Sequence, residues 1–136
     1  MENIFTESDQ SVVFPANWWV IALDKHRYYQ RVSGQGLKAV DFLAIDDDFG
    51  LVMIELKNYR GEPVPADLSA TLEQKCLDTE RLIRIVNKYL DRKLYYRIFY
   101  KWLHWHYVCD REWVFWERAA DCIRQHRVLR LCDIQE

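Results

Sequence analysis

The chain is poor in residues that interrupt regular structure. It has four glycines and three prolines in 136 positions, which excludes a collagen-like or low-complexity polymer and argues against a long disordered tract. No apolar stretch approaches the ~20 residues that cross a bilayer. The first ten residues, MENIFTESDQ, are polar and acidic, unlike a secretory signal. A cytoplasmic protein without membrane association is expected. The four cysteines, Cys76, Cys109, Cys122 and Cys132, include no CxxC pair, a spacing that suits reduced, mostly buried thiols better than a disulfide framework or a zinc ribbon.

Apolar and charged residues are plentiful, at 50% and 29% of the chain. That is enough for one hydrophobic core, so residues 1–136 read as a single domain. The net charge of -2 conceals an asymmetry: residues 1–80 hold 7 Lys and Arg against 14 Asp and Glu, while residues 81–130 hold 12 against 5. The two segments could simply pack together or lie as solvated faces. The sharper alternative sets an acidic, cation-binding centre beside a basic surface for phosphates.

Residues 12–32 mix aromatics with β-branched residues and leave strand and helix open, and Ser33-Gly34-Gln35-Gly36 reads as a turn. Lys38 to Ile45 then predicts a strand, Asp46 to Gly50 a turn, and Leu51 to Tyr59 the returning strand of a hairpin. Both strands are apolar on both faces, as in a sheet covered on each side. Period two sets Asp41 with Leu43 and Ile45 on one face, and Leu51, Met53, Glu55 and Lys57 together on the partner strand. Asp67 is placed to cap a helix running to about Leu90, with Leu72, Cys76, Thr79, Ile83, Val86 and Leu90 forming its apolar stripe. Residues 94–108 fit a further helix, 112–125 another, and Val128 to Ile134 a last strand.

Charges set inward on strands are costly, so Asp41, Glu55 and Lys57 need a reason to be there. A divalent cation between the two carboxylates would supply one. Magnesium takes hard oxygen ligands from one or two carboxylates and keeps the rest of its shell for water and substrate phosphate. A lysine alongside can orient the attacking water and steady charge developing on phosphorus. Such a set hydrolyses phosphodiesters.

The stretch GLKAVDFLAIDDDFGLVMIELKNYR, residues 36–60, resembles the metal-binding hairpin of the PD-(D/E)XK nuclease superfamily, through Asp41 and the triplet Glu55-Leu56-Lys57. Val40 stands where the family name has Pro. The resemblance implies an α/β, restriction-endonuclease-like α-β-β-β-α-β core, with a central mixed sheet flanked by helices and here an aromatic-rich helical C-terminal part. It also implies Mg2+, replaceable by Mn2+, held by Asp41 and Glu55 with the Leu56 carbonyl, and Lys57 next to the hydrolytic water. The expected substrate is nucleic acid, DNA ahead of RNA. Many members carry a further acidic residue on an N-terminal helix, for which Glu2 and Glu7 are candidates, and some a Gln on the next helix, here Gln74. Other members keep the fold without the reaction, so an inactive interaction or oligomerisation module is the alternative.

Two further constellations fall outside that resemblance. Between Tyr95 and Trp116 lie ten aromatic residues, set among Arg97, Lys101, Arg111 and the nearby Arg118, a mixture that could stack on bases, form core, or make a homodimer interface over residues 94–116. His104, His106 and Cys109, with Cys122 and His126 spaced i and i+4, raise a structural zinc site. His104 and His106 would diverge on a helix and could not both face one ion.

Overall fold

Alternating apolar residues build the centre of the molecule as a meander. In the computed structural model, which describes residues 3–7, 10–26, 29–30, 36–99 and 111–135, β3 (Trp19–Ala22), β4 (Phe42–Asp46) and β5 (Gly50–Asn58) pair antiparallel in sequence order. The chain then forms α1 (Leu68–Phe99) and α2 (Arg111–Arg124) and returns as β6 (Val128–Gln135), which joins β5 in parallel. The protein is thus mixed α/β, with a four-stranded mixed sheet and two helices among the described residues. A separate hairpin, β1 (Asn3–Glu7) and β2 (Gln10–Phe14), precedes the sheet.

The hairpin turn obeys local chemistry. Asp46 pairs with Gly50 across the turn, and its carboxylate accepts the Phe49 N–H at 3.0 Å. Gly50 has φ +91, and a Cβ there would lie 2.5 Å from the Arg127 carbonyl. That carbonyl accepts the Leu51 N–H at 2.9 Å, so glycine lets β6 enter the sheet beside β5.

Period two separates the sheet faces as expected. Leu43, Ile45, Leu51 and Met53 pack under both helices, against Cys76, Ile83, Phe115 and Trp116. Phe42, Ala44, Val52, Ile54 and Leu56 face the other way, where Phe5, Val12 and Phe14 of the hairpin cover them. Both faces are therefore covered, but the described helices share one face and strands cover the other. Of the sheet flanked by helices that the resemblance implies, the described residues show the helices of one face. Alternation explains the strand cover on the other: Phe5, Val12 and Phe14 share one side of the hairpin, while Ile4 and Val13 point out.

Two boundaries also differ from expectation. The strand expected from Lys38 starts at Phe42, because the backbone before it is held by the helix: Asp78 Oδ2 accepts the Lys38 N–H at 3.0 Å and Thr79 Oγ1 the Val40 N–H at 3.1 Å. The helix expected to stop near Leu90 continues to Phe99. Asp91-Arg92-Lys93 contains no glycine or proline to end it, so the start of the second expected helix is the end of α1. Its buried side is Leu68, Cys76, Thr79, Leu82, Ile83 and Val86, with Leu72 half-buried. Residues 100–110, with His104, His106 and Cys109, lie outside the described residues, as do Glu2, the turn at 33–35 and the side chain of Glu7. The role of the 94–116 segment as stacking or dimer surface therefore falls largely outside them too.

Candidate active site

Asp41 is set by backbone on both sides. Its carbonyl accepts the Leu23 N–H at 2.9 Å, and the residue before it is tied to Thr79, whose hydroxyl in turn donates to the Lys75 carbonyl at 2.7 Å. The β4–β5 ladder runs out at the Phe42–Ile54 pair. Beyond it, Asp41 Oδ2 accepts the Leu56 N–H at 2.8 Å, so a side chain takes over where the strand partner ends. Leu56, implied as a ligand through its carbonyl, is tied to the site by its N–H. Its side chain is buried on the opposite face.

Glu55 and Lys57 extend from the same face of β5, as period two requires. Glu55 is buried, with its side chain 3% exposed, and Lys57 Nζ lies 3.7 Å from Glu55 Oε2. The sequence reading missed the cation that engages Glu55 most directly, Lys75 of α1, whose Nζ donates to Glu55 Oε2. Its signal was present: Lys75, Thr79, Leu82 and Val86 step by four, three and four, which places one lysine on the buried side of the helix. Gln74, the residue considered on this helix, is exposed and donates to Asp78 Oδ1 at 2.9 Å, away from the carboxylates.

The electrostatics follow from this crowding. Burial, and after it the Asp41 carboxylate alongside, push the Glu55 carboxyl from its ordinary 4.5 up to about 7, against the opposing pull of Lys75. Burial alone would lower Lys75. The Glu55 hydrogen bond and the charges of Glu55 and Asp41 outweigh it and hold the ammonium above its ordinary range. Glu55 Oε1 is buried with no hydrogen-bond partner among the described residues. In its ionised form such an acceptor is costly, and a proton shared with Asp41 or a cation between the two carboxyls would relieve it.

These residues fit a hard divalent cation. Two adjoining carboxylates, one with an unsatisfied oxygen, are the donor set magnesium takes while retaining water for the rest of its shell. Among the described residues no three His, Cys, Asp or Glu side chains converge as a metal site, and Asp41 and Glu55 are the two carboxylates brought together there. The zinc alternative loses its helical spacing: α2 ends at Arg124, and His126 lies beyond it in the left-handed region at φ 56. No described helix is long and apolar enough to cross a membrane. Compared with protein-family models, curated proteins and solved structures, the chain finds no match in any of the three.

Proposed function

We propose that the protein is a metal-dependent phosphodiesterase of the PD-(D/E)XK type, acting on nucleic acid, DNA ahead of RNA. The observation that carries this reading is the buried Glu55 carboxylate with an unpartnered Oε1, set against Asp41 and flanked by Lys57. The order β3-β4-β5-helix-β6, with β6 parallel to β5, supports the implied β-β-β-α-β core. The described residues ahead of β3 form a hairpin, so the helix implied at the start of that core has no counterpart among them.

Asp41 and Glu55 would hold the cation. When bound, it would polarise the phosphodiester and make its own water acidic enough to attack near neutral pH. Lys57, with its side chain 27% exposed, stands at the open side of the pair, where an ammonium can hold the attacking water and neutralise charge on the phosphate. Lys75 sits deeper, 19% exposed, and positions Glu55. In the test, purified protein with Mg2+ cleaves DNA or RNA, EDTA stops it, and Lys57→Ala removes cleavage. Cleavage unaffected by that change would overturn the mechanism.

The Lys75–Glu55 pair also supports a second reading, a fold that keeps the charges as a structural ion pair and serves as an interaction module. Glu55→Gln separates the two. If the pair is structural, thermal stability falls because Lys75 loses its partner. In a metal site, stability in EDTA holds or rises, since Asp41 remains near Lys75 and the carboxylate crowding is gone, while cation binding is lost.

A further inference from the structure

Beside the carboxylates lies a cavity of about 460 Å³ between the first turns of α1 and strands β5 and β6. Glu55 belongs to both. Val40, Met53, Leu68 and Leu72 give the cavity apolar walls, and the Ser69 hydroxyl and Arg130 guanidinium are its polar edges. Its volume falls in the range of about 300–1,000 Å³ used for small ligands. That is room enough for a single nucleobase with part of its sugar.

The chemistry of the lining narrows the occupant. Flat apolar groups suit its walls, and with Glu55 committed to the cation, the Ser69 hydroxyl at the cavity's edge is placed to accept an N–H. Nucleobases combine both, since each has a planar body and an edge carrying N–H groups. Arg130 is 46% exposed and only loosely paired, 3.9 Å from Glu80, so it can turn to a phosphate. Glu73, also in the lining, is exposed and leaves the anion to the Arg130 side.

We propose that this cavity receives one unpaired nucleobase of the substrate, so that the strand presented to Asp41, Glu55 and Lys57 is single-stranded or frayed at that nucleotide. The inference rests on the phosphodiesterase reading of the adjoining site. A duplex would have to extrude a base to engage, which costs a few kcal/mol, whereas a single strand engages directly.

The test uses the full chain carrying Asp41→Asn, in EDTA, so that binding is read without cleavage. A single-stranded oligonucleotide, its duplex and deoxyadenosine monophosphate are titrated by calorimetry. The single strand is expected to bind about tenfold more tightly than the duplex or more. Filling the cavity with Leu72→Trp, or with Ser69→Trp at the more tolerant exposed position, is expected to cut single-strand binding by a similar factor while Mn2+ binding to the chain with Asp41 restored persists. Equal affinity for single strand and duplex overturns the proposal, as does binding unchanged by both fillings. So does a mononucleotide that binds as tightly as the strand, which would make the cavity a site for free nucleotides. If the strand binds, the fillings block it and no metal supports cleavage by the unmodified protein, the base site stands and the hydrolytic reading fails.

Discussion

At neutral pH the Glu55 carboxyl is near the midpoint of its titration, because burial and the neighbouring Asp41 lift it from 4.5 to about 7. The folded protein therefore keeps a proton that the unfolded chain releases. Stability from this group is fully present below about 4.5 and is lost as pH rises through about 7. In EDTA, the melting temperature of the unmodified protein relative to Glu55→Gln is expected to fall between about pH 5 and 8; a flat difference would contradict the assigned environment. Mg2+ should abolish that loss by taking the proton's place, and its affinity should weaken below about pH 7 by up to about tenfold per unit. Lys75→Met leaves buried Glu55 without its closest cation. A destabilisation of about 3 kcal/mol is expected above pH 7, shrinking on acidification as Glu55 takes up a proton, as denaturant titrations at two pH values would show. Lys57→Ala acts differently. Its ammonium stands 3.7 Å from Glu55, beyond hydrogen-bond distance, and Glu55 keeps Lys75 as its closer cation. The pair therefore contributes about 1 kcal/mol or less, and cleavage should fall by about 100-fold or more with little change in melting.

At the scale of elements, the β4–β5 hairpin was legible because period two, an Asp-rich turn and an obligatory glycine at position 50 agree with one another. They put Asp41, Glu55 and Lys57 on one face without reference to the rest of the chain. What α1 adds was not legible in the same way. Thr79 reads as one more member of an apolar stripe, yet its hydroxyl bridges the Lys75 carbonyl and the Val40 N–H and so fixes the backbone that carries Asp41. A stripe pattern reports which side of a helix is buried and says nothing about which buried polar atoms find partners across 39 residues of sequence. Thr79→Val should leave the Val40 N–H buried and unpaired. About 1–3 kcal/mol of stability should be lost, and Mg2+ affinity should fall with it; an unchanged affinity would show that Thr79 does not position Asp41. Gly50→Ala meets both a positive φ and the Arg127 carbonyl. A loss of about 2 kcal/mol or more is expected, and chemical denaturation would measure it.

For the whole molecule, coverage of the sheet was only half legible. The apolar character of both strand faces required two layers, but composition does not say whether helix or strand supplies the second. Here the N-terminal hairpin does, through Phe5, Val12 and Phe14 packed on Phe42 and its neighbours. That arrangement leaves the helical side with both the carboxylate pair and the cavity next to it. A catalytic role for that side requires that Asp41 and Glu55 share a cation. Crystals grown with Mn2+ and measured for anomalous diffraction test it most directly. A single strong peak between the two carboxylates, absent from crystals of Asp41→Asn, is the predicted result. A site without manganese at saturating metal, with Lys75 still donating to Glu55, would contradict the account and leave the charges as a structural ion pair.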